Sequence, residues 1–341
     1  MTFDTGPVED AVAAPAKVRR DDKAMLRAAA DVTRDLNVPN ARIYWTDFLA
    51  SAVVGYGALG LAAVTSSTLV MLVAAMVSIV ALFRAGSFIH ELTHIKKGEL
   101  GGFKLGWNLI VGVPLLIPSF LYEGIHNLHH AKIRYGTIED PEYLPLALMK
   151  PWTLPLFVVA AALAPIALLF RFALLAPLSL LSAPLRKLVI ERYSGLQINP
   201  HFRRKPAEGD LARQWRWQEV AASVWAITLI TLAVSGVVPL QAVLVFLGIT
   251  SGTMLLNQTR TLVAHLWEND GEPLSVTEQF LDSVNVPPPG PTAELWAPVG
   301  LRFHALHHLF PSLPYHNLAR AHALIESGKA RGKVVLAGFS D

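Results

Sequence analysis

Two long uncharged stretches constrain what this chain can fold into. Phe48 to Phe83 runs 36 residues without a charged side chain, and Val220 to Thr259 runs 40. A bilayer-spanning helix needs about 20 predominantly apolar residues, so each stretch has room for two. Each is interrupted near its middle, by Thr65-Ser66-Ser67 in the first and by Ser235-Gly236 and Pro239 in the second. The pattern predicts two transmembrane helical hairpins, near 48–65 with 68–88 and near 219–236 with 239–258.

The charges around these stretches set an expected orientation. Neither hairpin turn carries Lys or Arg. The flanks do: Lys17, Arg19, Arg20, Lys23, Arg27 and Arg34 precede the first hairpin; Lys96, Lys97 and Lys104 follow it; Arg186, Lys187, Arg192, Arg203, Arg204, Lys205, Arg213 and Arg216 precede the second. Basic residues concentrate on the cytoplasmic side of membrane proteins, so both termini and the segments between hairpins are expected there. The net charge of +3 is accounted for by that bias and by attraction to anionic headgroups, and no nucleic-acid partner is expected. The chain has no cysteine, which excludes disulfides, thiolate ligands and iron–sulfur centres. About 40 mostly polar residues precede the first apolar run, so no signal peptide is expected.

Two further apolar segments must fit this topology. Leu105 to Tyr122 is broken by Pro114 and Pro118, which predicts a shallow, re-entrant or interfacial passage. Pro151 to Leu185 is interrupted by Arg171 and by Pro155, Pro165, Pro177 and Pro184; helices lying on the membrane face are expected, with a third short hairpin as the alternative. Residues 23–36 read as an amphipathic helix with Met25, Ala29, Val32 and Leu36 on one stripe. Tyr44 and Trp45 fall where an interfacial aromatic belt would lie. The expected fold is an all-α integral membrane protein with four spanning helices and a cytoplasmic helical cap. Its parts are a partly disordered N-terminal segment (1–43), a membrane domain (44–325) and a C-terminal tail (326–341). Pro287 to Pro291 reads as a loop.

The chemistry is carried by histidine. Three clusters, His90-Glu-Leu-Thr-His94, His126-Asn-Leu-His129-His130 and His304-Ala-Leu-His307-His308, hold eight of the 12 histidines. Residues spaced i, i+3 and i+4 share a helix face, so each cluster is expected to aim its imidazoles at one point. Imidazole binds iron, zinc, copper and nickel well. The first cluster alone matches the H-E-x-x-H zinc-protease pattern. A catalytic zinc needs only three protein ligands, however, and that reading leaves both H-x-x-H-H clusters without a use.

The ordered set resembles the membrane fatty acid desaturase and hydroxylase family, whose boxes read HxxxH, HxxHH and (H/Q)xxHH. The text around the third cluster, Phe303-His-Ala-Leu-His-His-Leu-Phe-Pro-Ser-Leu-Pro-Tyr-His316, and Tyr135-Gly-Thr-Ile-Glu-Asp-Pro-Glu142 after the second are similar to bacterial members. The likeness spans roughly residues 45–325.

That resemblance implies a di-iron centre that uses O2 and two electrons on a lipid acyl chain. It also implies a ninth ligand after the last spanning helix, where His265 stands. The implied ligand set is His90, His94, His126, His129, His130, His265, His304, His307 and His308. Acyl-CoA members add an asparagine one turn before that lone histidine. Here the position is Thr261, with Asn257 and Gln258 as substitutes. Glu91, Glu123, Asp140, Glu142 and Glu268 are candidates to orient the imidazoles, as is His316. His201 and His322 read as surface residues.

The three-residue gap of the first box and the histidine-led third box resemble acyl-lipid-type members. The expected activity is therefore a fatty acid (acyl-lipid) desaturase of the bacterial inner membrane. Electrons would come from a separate donor, a ferredoxin or a cytochrome b5-like protein, because no haem-binding His-Pro-Gly-Gly signature is present. The alternative is a lipid, alkane, sphingolipid or carotenoid hydroxylase or ketolase of the same superfamily. An intramembrane zinc metalloprotease and a histidine-rich metal transporter are readings of other classes.

Overall fold

The computed structural model describes residues 21–96, 98–286 and 292–330. The expectations for residues 1–20, Lys97, the Pro287–Pro291 loop and the last part of the tail lie outside these residues. Among the described residues there are helices and turns but no β-strand.

In chain order the helices are α1 Lys23–Thr33, α2 Ala41–Val64, α3 Thr68–His94, α4 Phe103–Trp107, α5 His126–His129, α6 Thr153–Ala162, α7 Ala164–Phe170, α8 Ala176–Ser179, α9 Ala183–Tyr193, α10 Gly209–Val234, α11 Leu240–Leu262, α12 Val276–Asp282, α13 Ala293–Trp296, α14 His304–Leu309 and α15 Tyr315–Ala330. Four of them, α2, α3, α10 and α11, are long and apolar enough to cross a membrane. They form the two expected hairpins, each starting or ending several residues beyond the uncharged stretch on the histidine-bearing side.

Local chemistry explains the hairpins. Ser67 caps α3, its side chain accepting from the Val70 N–H, and Gly236 turns the second hairpin with a left-handed backbone (φ 75°). The two turns meet: Gln241 Nε2 donates to the Thr65 carbonyl at 3.1 Å. Both therefore lie at one end of the bundle. Gly55 lets α2 and α3 approach closely. A Cβ there would stand 2.6 Å from Leu82 Cδ2, and the Gly55 carbonyl accepts from Ser78 Oγ at 2.9 Å, the small-residue contact that helices in lipid favour.

Neither of the two broken segments behaves as a simple span. After α4 the chain continues through one π turn, Asn108–Gly112, and reverses at Pro118. Asn108 holds that reversal, accepting from the Ser119 N–H at 2.8 Å and donating to Ser119 Oγ at 2.9 Å. Helices α6 and α7–α8 form a pair bent by 54°. Phe157 in α6 packs in a cluster with Tyr135, Tyr143 and Trp267, whereas Arg171, between α7 and α8, pairs with Glu219 in the first half of α10 at 2.6 Å. The N-terminal end of the pair thus sits in the histidine-bearing half.

One local expectation holds and another changes. The apolar stripe of α1 (Met25, Ala29) joins the same core as Leu318, Ala321 and Ile325 of α15, so it covers protein. Tyr44 is buried rather than interfacial: its hydroxyl donates to Glu91 Oε2 at 2.5 Å, and its ring meets Phe103 and Tyr315 edge-on.

Candidate metal centre

Each histidine arrives on a different support. The last turn of α3 carries His90 and His94, α5 carries His126 and His129 with His130 at its C-cap, and α14 carries His304, His307 and His308. His265 follows α11 in an extended piece that bridges to Ser283, with Leu266 N–H donating to the Asp282 carbonyl at 2.8 Å. The elements converge, and the nine imidazoles fall into two groups: His90, His94, His126, His130 and His307, and His129, His265, His304 and His308. Within each group the candidate ligand nitrogens lie within 4.8 Å of one another.

The sequence expectation that each box aims at one point is corrected here. In both HxxHH boxes the i and i+4 histidines serve one group and the i+3 histidine serves the other. A short helix turns by about 100° per residue, so i+3 and i+4 flank a line, and with two foci on either side of that line they diverge.

The spacing fits metal ions. For an ion about 2.0–2.1 Å from imidazole nitrogen, adjacent ligand atoms stand about 3 Å apart and opposite ones about 4 Å. Nε2–Nε2 distances are 2.9 Å for His126–His130, 3.1 Å for His130–His307, 3.0 Å for His265–His304 and 3.2 Å for His304–His308. Burial, then the neighbouring imidazoles, pushes the pKa of His126, His130, His304, His307 and His308 well below the usual value. These rings are neutral near pH 7, the form that binds metal. The Nε2 of His90 and of His94 is buried with no hydrogen-bond partner, as expected of lone pairs kept for a ligand.

Three imidazoles are oriented from behind by carboxylates. His129 Nδ1 donates to Asp140 at 2.9 Å, and Asp140 is itself held by the Gly136 and Glu142 N–H groups at 2.9 Å each. Burial opposes a charge on His129, but Asp140 outweighs it and leaves the pKa raised. His126 Nδ1 faces Glu142 Oε1 at 3.0 Å and the Tyr122 hydroxyl at 2.8 Å; burial lifts the Glu142 carboxyl to about 7. His265 Nδ1 reaches the Tyr135 hydroxyl at 2.8 Å, which donates to Asp282 Oδ2 at 2.6 Å. Burial lowers the His265 pKa to about 4.

Of the expected orienting groups, Asp140 and Glu142 therefore stand at the site, and Asp282, Tyr135 and Tyr122 join them. Asp282 escaped the sequence reading because it stands on α12, 17 residues from His265, and only the bridge at Ser283 brings it close. Glu91 lies 3.7 Å from His90 Nδ1 but is bonded to Tyr44 and the Tyr315 N–H. The others go elsewhere. Glu123 pairs with Lys104, Glu268 is exposed, and His316 Nε2 accepts from the Asn40 N–H at 3.0 Å. His201 is exposed as expected, whereas His322 is buried against Phe303. On the last turns of α11, Asn257, Gln258 and Thr261 are half-buried, and Arg260 is buried.

A model of the fatty acid desaturase family matches residues 66–335. A ceramide hydroxylase of Caulobacter vibrioides is 52% identical over 307 residues, covering 90% of this chain and 87% of that protein. No solved structure matches the chain. The relative overturns the desaturase expectation. Desaturation and hydroxylation are built on the same histidine boxes, and they part on how the substrate carbon is held, which box spacing does not encode. Taken with the two histidine groups, the match over most of the sequence means that this chain belongs to the fatty acid desaturase family and is an enzyme of the desaturase and hydroxylase superfamily.

Proposed function

We propose that this protein is a membrane-bound, O2-dependent lipid hydroxylase acting on ceramide, with two iron ions held by the two histidine groups. The observation that carries the substrate class is the 52% identity to a ceramide hydroxylase across 90% of the chain. The donor set supports the metal: nine imidazoles in two groups, three of them braced by Asp140, Glu142 and the Tyr135–Asp282 pair. Bound iron would supply activation of O2, with two electrons from a separate donor and two protons from solvent, so that one oxygen atom enters a C–H bond and the other leaves as water.

The chain's own residues do the rest. Asp140 and Glu142 accept from Nδ1 of His129 and His126 and so aim Nε2 inward, the arrangement that fixes ring orientation and raises ligand basicity. Helices α3 and α11 deliver ligands from apolar hairpins, which keeps water from the reacting methylene and gives a lipid chain an apolar path. The basic flanks set the histidine end on the cytoplasmic face of the bacterial inner membrane, where a soluble donor can dock.

Expression in a ceramide-containing host under heavy-isotope dioxygen tests this reading. A ceramide gaining one labelled oxygen, absent with the His308→Ala variant, is the expected result. Loss of two hydrogens without oxygen gain, or purified protein carrying a single zinc and no iron, would sink it.

A further inference from the structure

Arg260 is the one charged side chain on α11 after Gln241, and it is 9% exposed. Its Nε and Nη1 are buried with no hydrogen-bond partner. Among the described residues no carboxylate lies within ion-pair distance of it. Its charge acts on His90 of one histidine group and His304 of the other, and on Tyr122 and Glu142 behind His126. Arg260 stands in the last turn of α11, five residues before His265, and its guanidinium is buried near both groups.

Such a placement is unfavourable for the protein alone. A buried charge is retained where it is paired or hydrogen-bonded, and here it also faces two foci suited to metal cations. An oxygen acceptor must complete the site. Guanidinium donates five N–H groups and accepts none, so the missing group is an acceptor. It need not be a full anion, since neutral oxygens accept from a buried guanidinium elsewhere in this fold, where Arg171 donates to the Tyr193 carbonyl and to Ser194 Oγ. Ceramide carries no charge, and its amide carbonyl is a stronger acceptor than its hydroxyls.

Resting on the ceramide reading above, we propose that Arg260 binds the substrate's amide carbonyl and so positions the acyl chain against the histidine centre. Arg260 is then a positioning and specificity residue. The apolar length of the chain is held by the hairpins, and the register along it is set by one polar contact.

The test uses full-length, detergent-solubilised protein and two fluorescent probes: a ceramide analogue, and an alkyl chain with the same fluorophore and no amide. Arg260→Met should weaken ceramide binding about tenfold or more, the size of a lost charge-assisted hydrogen bond. It should leave the alkyl probe, the iron content and the melting temperature unchanged or the last slightly raised, because no internal partner is lost. Arg260→Lys should recover part of the preference. Equal weakening of both probes, unchanged ceramide affinity, or a lowered melting temperature in both variants would overturn the proposal. Failure of the wild type to hydroxylate or bind ceramide strikes the function itself. A wild type active on ceramide whose Arg260→Met variant still binds it strikes only this assignment.

Discussion

Two buried arginines divide this molecule into a part built for stability and a part left open. Arg171, between α7 and α8, is 3% exposed. It donates to the Tyr193 carbonyl through Nε at 3.0 Å, and to Ser194 Oγ and Glu219 Oε1 through Nη2 at 3.0 and 2.6 Å. Its plane lies against Phe172, 4.3 Å from the ring centroid, with Phe120 at 5.4 Å. Only Nη1 lacks a partner. Arg260 is nearly as buried and is left with two unmade donors. The same buried charge has hydrogen-bond partners in the fold in one place and none in the other. An arginine with internal partners holds helices together; one without them is poised for something that arrives.

The largest expected effect breaks the first half of that contrast. Arg171→Met should destabilise the protein by about 3 kcal/mol, the lower end for removing one partner of a buried pair, because Arg186 stays with Glu219 at 2.8 Å. Thermal unfolding in detergent measures it. Iron bound by the surviving folded fraction should be unchanged. If Arg171→Met melts like the wild type while Arg260→Met melts early, the contrast is reversed and the roles assigned here are wrong.

The same distinction runs through the metal centre. His126, His129 and His265 are braced at Nδ1, whereas the Nδ1 atoms of His90, His130, His304, His307 and His308 are buried without a hydrogen-bond partner. Asp140→Asn should weaken iron binding roughly 10–100-fold, the usual consequence of losing a carboxylate behind a ligating imidazole. Asparagine still accepts one hydrogen bond but no longer supports charge on His129. Metal titration of the apoprotein is the readout. Tyr135→Phe, which cuts the relay from His265 to Asp282, should have a smaller effect, because Ser283 Oγ stays 3.3 Å from His265 Nδ1. Equal losses from the two changes would show that the directness of the carboxylate contact does not matter.

What could be read from the sequence follows from how local each signal is. The hairpins were legible because 36 and 40 uncharged residues admit few other folds, and the eight boxed histidines because their spacing is that of a helix turn, whereas His265 came only from the family resemblance. The division of each HxxHH box between two groups was not legible, since spacing names a face and not the number of foci opposite it. Asp140 and Glu142 lie close after the second box and could be nominated; Asp282 could not, because its contact depends on α12 folding back on the segment after α11. Whether the oxidation ends in an alkene or an alcohol was out of reach for a similar reason: it depends on how a lipid carbon is held, and no box encodes that. Arg260 itself stood in the text beside Thr261 and His265, but its isolation appears only when every neighbour is counted.

The smallest effect sharpens the account of Arg171. Ser194 is 1% exposed; it accepts from Arg171 Nη2 and donates to the Val189 carbonyl at 2.7 Å. Ser194→Ala removes one acceptor but leaves Nη2 on Glu219 and Nε on the Tyr193 carbonyl. The expected loss is about 1 kcal/mol, that of a single net hydrogen bond, seen as a modest fall in melting temperature with ceramide binding intact. A loss as large as that of Arg171→Met would mean that the hydroxyl and carbonyl cage, rather than the ion pair with Glu219, keeps the guanidinium buried. A cage of uncharged oxygens sufficient to hold Arg171 would in turn strengthen the case at Arg260, where one carbonyl from a lipid is asked to do a similar task.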